Sequence, residues 1–449
     1  MAAKLNIVVV GGNAAGPAAA AKAKRVNPSA DVSLYEAGEF ISTGTCELPY
    51  LISGHIKNYR DIVFFSPESF FEKKGVRVFT MHLVERIDRK NKIILIRSLI
   101  DQILIEKSYD KLILTTGSSA KKLQSVSSEL ANVFSFKTVS DFIKIEKYRK
   151  ENSVNNVLII GAGYIGLEAA ENFKLSGMEV TIIEKEKNPM PSAGIELQEL
   201  IKKILADNRI EFYGNSENPE FIISGNKIAS LKIDGWKKPV DLALLSLGVE
   251  PNNILAQSAG LSIGKNGGLL TDNKLKTSDP NIFAAGDNIE VKNFLTNNYD
   301  YMPLAGLAHK YGHIAGENAA GGNAFVYNEV KNAAFKLFDN TIAGVGLTKN
   351  ELENMRIKHS EVYSVLPNLV KVMPESRNTF AKIYYNPENR RIFGAEFLGG
   401  NEVIGYADLI SAFIRSGITA DKLKDVNYSY TPPCAPFVNI LSALGRKIN

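Results

Sequence analysis

One piece of sequence grammar occurs twice in this chain. An apolar run at 7–10 (Ile-Val-Val-Val) leads into Gly11-Gly12-Asn13-Ala14-Ala15-Gly16, then an alanine-rich stretch at 17–25, then a second apolar run at 32–35 that ends on Glu36. The order returns as a run at 157–160, the turn Gly161-Ala162-Gly163-Tyr164-Ile165-Gly166, a helical stretch through Lys174, and a run at 180–183 that ends on Glu184. Unbroken β-branched runs bounded by glycine read as strands buried on both faces. Strand, tight turn, helix and second strand in that order make a βαβ unit, whose strands are parallel because the helix carries the chain back across the sheet. The chain is therefore expected to be α/β, with two Rossmann-like units.

The second turn has all three glycines of G-x-G-x-x-G. They permit a tight turn and close backbone approach, so that a pyrophosphate can rest at the helix N-terminus. The string alone is weak; its place between strand and helix, with Glu184 closing the next strand, strengthens it. Glu184 would accept hydrogen bonds from both hydroxyls of an adenosine ribose and repel a 2′-phosphate. NADH is thus favoured, while Lys185 and Lys187 temper the preference and leave NADPH as the alternative. In the first turn Asn13 stands where the middle glycine belongs. Gly11 and Gly16 keep the turn and packing roles, Asn tolerates unusual backbone angles, and Glu36 lies at the spacing of a ribose acid. A sheet with no nucleotide would account for either unit alone. Two units, each closed by an acid, point to two dinucleotides, FAD and NAD(P)H.

Between the units, 83–105 alternates like an antiparallel meander, and 111–115 reads as a strand before Gly117. Further strands are expected at 242–247 and 281–285. From about Tyr327 strands precede helices, with aromatic Phe335, Phe338, Tyr384, Tyr385 and Phe393, as in a third, α+β domain. A chain of 449 residues, 45% hydrophobic, is long enough for several cores. Its net charge of +5 is spread without a basic block, which argues against nucleic-acid binding. The chain has 2 cysteines, Cys46 and Cys434, too few for a disulfide-stapled scaffold, and a reducing, cytoplasmic setting is expected. No signal-like opening and no apolar run of about 18 residues is found, so no membrane span is expected. His309 and His313 have metal-ligand spacing but no evident third ligand, and no metal is expected.

With these residues in hand, the chain resembles the pyridine nucleotide–disulfide oxidoreductase family over essentially its full length. Segment 109–118 (Tyr-Asp-Lys-Leu-Ile-Leu-Thr-Thr-Gly-Ser), with Thr116 and Gly117, is similar to the strand and turn that close the family's FAD domain. Segment 247–252, with Gly248, resembles the return from the NAD domain. Segment 281–287 resembles the second FAD motif, where Gly286 precedes the ribityl-binding Asp287. The resemblance implies an FAD domain at 1–118 and 250–325, an NAD(P)H domain at 119–249, and a dimerisation domain at 326–449 that forms a homodimer. It also implies that Ala305, on the helix bearing His309 and His313, belongs to the flavin site; Glu168, just after the second fingerprint, is expected to help position the nicotinamide.

Segment 42–50 (Ser-Thr-Gly-Thr-Cys-Glu-Leu-Pro-Tyr) resembles the redox-cysteine segment of the single-cysteine branch, which contains coenzyme A-disulfide reductase, NADH oxidase and NADH peroxidase. The paired C-x-x-x-x-C and the C-terminal His-Glu of the glutathione-reductase branch are not present. In the family this cysteine begins a helix and relays electrons as a thiolate, a form favoured by helix N-termini and positive charge. Glu47 replaces a small residue, and a carboxylate facing the sulfur would raise its pKa. Peroxidases and water-forming oxidases of the branch carry a histidine in the first glycine turn, where this chain has Asn13-Ala14-Ala15. A disulfide or persulfide acceptor is favoured over a sulfenic acid. Arg25 and Ser42, with Thr45 beside them, match substrate positions of coenzyme A-disulfide reductase, as does Tyr430, supplied by the partner subunit. Segment 428–436 resembles the Tyr-x-Pro-Pro signature, with Cys434 in an unusual place where it would serve as a second thiol facing Cys46 of the other subunit. Plainer readings stand beside these: an inert Cys46, a solvated Arg25, a capping Ser42, a packed Tyr430, a small buried Cys434.

The expected activity is reduction of a disulfide, persulfide or polysulfide, coenzyme A disulfide-like, by NAD(P)H through FAD and Cys46. The rivals are an NADH oxidase or peroxidase using a Cys46 sulfenic acid, and an electron-transfer flavoprotein that reduces a protein partner.

Overall fold

The computed structural model describes residues 4–123, 129–233 and 235–448. Its first sheet is fully parallel, in the order Ile282–Ala284, Lys111–Leu114, Asn6–Val10, Asp31–Tyr35, Arg77–Phe79. The second repeats the plan with Val133–Ser135, Leu242–Leu245, Asn156–Ile160, Glu179–Ile183 and Glu211–Tyr213. In each sheet the strand before the glycine turn is central, flanked by the strand that ends on the acid. That order places the turn at the carboxyl ends of the strands, at the point where the strand order reverses and ligands of such folds bind.

Each parallel sheet is accompanied by a three-stranded antiparallel sheet. In the first unit this is His82–Asp88, Ile93–Ser98 and Leu104–Ser108; in the second it is Glu220–Ser224, Lys227–Ile233 and Trp236–Pro239. The chain crosses between the units twice, and the crossings, Ser118–Ala120 and Val249–Pro251, pair antiparallel.

The helix after the first turn, Ala15–Val26, begins two residues before the expected 17. Pro17 is tolerated there because first-turn amides have no intrahelical partner. This helix lies backbone to backbone on Ala305–Ala319: a Cβ added at Gly312 would stand 2.3 Å from the Ala15 carbonyl oxygen, and one at Gly316 2.1 Å from that of Ala19. Glycine at both positions lets the second helix approach the first turn.

The C-terminal part is a five-stranded antiparallel sheet, Asn332–Leu337, Asn340–Gly346, Ile392–Gly399, Asn378–Tyr385, Ser360–Pro367, covered by helices Glu402–Ser416 and Ile440–Arg446. One hydrophobic core joins the second unit to this sheet and also takes in Leu48, Leu51 and Ile52. Burying each such side chain contributes about 1.5–3 kcal/mol. The short helix Leu48–Ile52 is thereby fixed against Tyr164–Leu175, carrying the cysteine segment to the border of the two units. The expected architecture, two Rossmann-like units and a C-terminal α+β part, is the one observed.

Candidate active site

The two glycine turns are built alike. Gly11 and Gly161 have φ of +107° and +105°, where a side chain would be strained. A Cβ on Gly11 would lie 2.0 Å from the Thr115 carbonyl oxygen, and one on Gly161 2.6 Å from that of Ser246. Glu36 accepts from the amides of Gly12 (2.5 Å) and Gly38 (2.6 Å), and Glu184 from those of Ala162 (2.7 Å) and Glu186 (3.2 Å). Each acid thus braces the turn it faces.

Two hydroxyls that sequence reasoning missed complete the symmetry. Thr115 Oγ1 donates towards the Val10 and Gly11 carbonyls at 2.8 and 3.1 Å, and Ser246 Oγ towards those of Ile160 and Gly161 at 3.0 and 2.8 Å. Their signal was position: each follows the strand that neighbours a fingerprint strand.

Asn13 acts differently from the expectation based on its backbone tolerance. It does not take the left-handed conformation; its Oδ1 accepts from the Thr43 amide and hydroxyl, both at 3.1 Å. The left-handed residue is Ser42, at φ +50°, whose amide donates to the Gly12 carbonyl at 2.8 Å. The first turn and the cysteine segment are therefore stitched together directly.

Asp287 follows Gly286, whose φ is +96°. It accepts from Ser118 Oγ at 2.9 Å and lies 3.7 Å from Lys137 Nζ. Beside it, Asn288 Oδ1 and Tyr301 Oη are buried without a hydrogen-bond partner. Thr116 Oγ1 donates to the Asn252 carbonyl at 2.7 Å, and Asn252 returns a bond to the Thr116 carbonyl at 3.0 Å, fixing the closing turn. Added Cβ atoms at Gly117, Gly163, Gly248 and Gly306 would meet nothing within 4 Å. Ala305 is the first residue of its helix, Ala14 the last before the helix of the first turn, and Tyr164 and Ile165 stand exposed at the start of theirs. Backbone cradle and open glycines fit a dinucleotide in each unit, and the first adds unpartnered polar atoms.

Cys46 lies in the helical turn Thr45–Glu47, which runs into Leu48–Ile52, and is exposed. Its thiol is pushed up from its ordinary value, first by desolvation, then by the carboxylates of Glu47, Glu168 and Asp287; Lys137 opposes them. Those charges come from the cysteine segment, the second unit and the second flavin-type motif. Glu47 folds back over Gly44. Glu168 is pushed up to about 7, mainly by burial and then by Glu171, while the Lys336 amide and Tyr50 work against the rise. Tyr50, one turn beyond Cys46, is raised to about 12 by burial and these carboxylates.

A raised thiol holds less thiolate at neutral pH, so removing the nearest carboxylate should lower it. Glu47→Ala is expected to shift the pH midpoint of Cys46 alkylation by iodoacetamide downward and to quicken alkylation at pH 7–8 by about threefold. A midpoint unmoved or shifted upward would show that Glu47 does not govern the sulfur.

Arg25 lies exposed in the last turn of the helix after the first glycine turn, and Thr45 opens the cysteine turn. Tyr430 is half exposed with its ring edge-on to Phe437 at 5.4 Å, and Cys434 is exposed in the same segment. His309 and His313 contact each other edge to face at 4.6 Å. Among the described residues no three His, Cys, Asp or Glu gather as metal ligands, and no helix is long and apolar enough to cross a membrane.

Comparison with known proteins agrees with this geometry. Residues 5–312 match the model of the pyridine nucleotide-disulphide oxidoreductase family, and residues 332–439 match that family's dimerisation domain. The chain is 30% identical over 431 residues to an NADH oxidase of Methanocaldococcus jannaschii, covering 96% of this chain and 95% of that protein. It is also 30% identical over 454 residues to a CoA-dependent NAD(P)H sulfur oxidoreductase of Pyrococcus furiosus, covering 99% of each. Among solved structures, an NAD-dependent persulfide reductase from A. fulgidus superposes with a TM-score of 0.94 at 29% identity, over 99% of this chain and 82% of that one. With two braced glycine turns of one design, and matches along nearly its whole length, the chain belongs to the pyridine nucleotide-disulphide oxidoreductase family.

Proposed function

We propose that the protein is an FAD-dependent NAD(P)H oxidoreductase that reduces a disulfide, persulfide or polysulfide, with a coenzyme A derivative as the leading substrate, through Cys46. The observation that carries this reading is the place of the exposed Cys46: its segment is bonded to the first glycine turn through Asn13 and Thr43, and runs into Leu48–Ile52, which packs on the helix of the second turn. The similarity to a CoA-dependent sulfur oxidoreductase and a persulfide reductase supports it.

The FAD would be held by the turn 11–16, Glu36, Thr116, Gly117, Gly248, Gly286, Asp287 and Ala305, and the NADH by the turn 161–166 and Glu184. Bound there, FAD supplies a two-electron relay between nicotinamide and sulfur. The protein's own work is at Cys46. Its thiolate attacks one sulfur of the acceptor, the S–S bond breaks, and the first thiol leaves, giving a mixed disulfide on Cys46. Two electrons and two protons then restore the thiol and free the second product. Glu168, half protonated near neutral pH, positions the nicotinamide side and holds a proton close to that exchange. Arg25 offers a cation to a phosphate of the substrate, and Ser42 and Thr45 flank the sulfur. The enzyme acts as a cytoplasmic homodimer, with Tyr430 of the partner subunit and Cys434 of the partner subunit completing the site.

Steady-state comparison of acceptors tests the activity. NADH oxidation should be fast with coenzyme A disulfide, persulfide or polysulfide and slow with oxygen or peroxide. Rapid NADH loss with oxygen alone, indifferent to disulfides, would decide for the oxidase reading, which the M. jannaschii relative favours. For Cys434, replacement by Ser should slow turnover by about tenfold or more and leave flavin reduction by NADH intact; unchanged turnover would remove it from the reaction.

A further inference from the structure

The second glycine turn rests on a segment tied to a distant part of the chain. Ala162 donates its amide to Glu184 at 2.7 Å, and its carbonyl accepts from the Met190 amide at 2.9 Å. Met190 opens a loop that ends at Gly194, the N-cap of helix Ile195–Asp207. Gln198 braces this loop by donating to the carbonyls of Met190 at 3.2 Å and Ala193 at 2.9 Å.

Gly194 has no side chain with which to cap the helix. Its amide donates instead to both carboxylate oxygens of Glu396, at 2.9 and 3.0 Å, from strand Ile392–Gly399 of the C-terminal sheet. The approach is close: a Cβ on Gly194 would lie 2.5 Å from Tyr384 Oη and 3.0 Å from Glu396 Oε2. Alongside, Lys382 is fully buried and binds Glu196 of the same helix at 2.6 Å and Glu361 at 3.1 Å. Above the contact is a narrow apolar slot lined by Tyr164, Met190, Ala193, Gly346, Thr348 and Glu396.

We propose that Glu396 is a positioning residue for NADH: it caps the helix at Gly194 from another part of the fold, and so fixes the loop on which Ala162 and the ribose acid Glu184 rest. The chain of contacts runs from the C-terminal sheet through Gly194, Met190 and Ala162 to Glu184, without Glu396 touching the nucleotide. The inference rests on the proposed binding of NADH at the second turn.

The test uses the flavin-loaded enzyme. Glu396→Ala is expected to raise the NADH dissociation constant about tenfold, the scale of a lost helix cap. It should also speed amide hydrogen exchange across 188–194 without nucleotide, while leaving reoxidation of the reduced enzyme by the acceptor unchanged. Glu396→Gln keeps an oxygen acceptor for Gly194 and should restore binding to within about threefold. Gly194→Ala keeps every charge but pushes the loop off Glu396, and should behave like Glu396→Ala. Should Glu396→Ala fail to fold, the other two variants decide. Native-like NADH binding and exchange in Gly194→Ala and Glu396→Ala would overturn the proposal, as would a Glu396→Gln enzyme no better than Glu396→Ala. Flavin reduction by NADH without an acceptor separates the two readings: if the native enzyme is not reduced, the proposed function fails; if it is, and the variants bind NADH normally, only the role of Glu396 fails.

Discussion

Cys46→Ser enzyme is expected to lose disulfide-reducing turnover by at least about a thousandfold while NADH still reduces its flavin at a near-native rate. Serine matches the cysteine in size, so the turn Thr45–Glu47 and the packing of Leu48 and Ile52 are kept. What is lost is a sulfur nucleophile. A hydroxyl is scarcely ionised at neutral pH and forms no mixed disulfide, so the step in which the acceptor's S–S bond breaks has no attacking group. Stopped-flow flavin reduction and steady-state acceptor reduction, measured on one preparation, separate the two halves. A variant that reduces disulfides or a protein partner as the native enzyme does would assign this chain to electron transfer with a structural cysteine.

The second large effect comes from the packing glycines. A Cβ on Gly16 would lie 1.8 Å from the Gly11 carbonyl oxygen, and one on Gly166 2.0 Å from that of Gly161. Both obstacles are backbone, so no rotamer change relieves them and the turn itself has to open. Gly16→Val should purify with little flavin, read from visible absorbance per mole of protein. Gly166→Val should keep its flavin, yet be reduced by NADH at least about a hundredfold more slowly at fixed concentration, while dithionite reduces it normally. Flavin loss in Gly166→Val, or its retention in Gly16→Val, would reverse the assignment of the two turns.

These turns were legible because they answer a steric demand that few residues meet: at Gly11, Gly16, Gly161 and Gly166 the backbone leaves no room for a Cβ. The strands were legible because burial on both faces demands unbroken apolar runs. Other features had weaker signatures. The antiparallel sheet Glu220–Ser224, Lys227–Ile233, Trp236–Pro239 exposes Ile223 and Trp236 and so lacks clean alternation. Asn13 was noticed for its backbone tolerance, whereas its value lies in a side-chain bond to Thr43, thirty residues on. The start of a helix at Cys46 was expected to favour thiolate. Desolvation first, then Glu47, push the thiol the other way, and folding adds the carboxylates of Glu168 and Asp287 from more than a hundred residues away. The Gly194–Glu396 bond spans 202 residues, and no local pattern announces it.

The pairing of Ser118–Ala120 with Val249–Pro251 gives the second unit the character of a cassette. Its chain enters and leaves as two adjacent antiparallel strands, so its ends lie one strand spacing apart, about 5 Å. A unit joined in this way can be exchanged for one of different nucleotide preference without rethreading the sheet that holds the first turn. The graft would have to preserve the fittings to the C-terminal sheet, among them a helix whose N-cap amide comes close enough to donate to the carboxylate of Glu396.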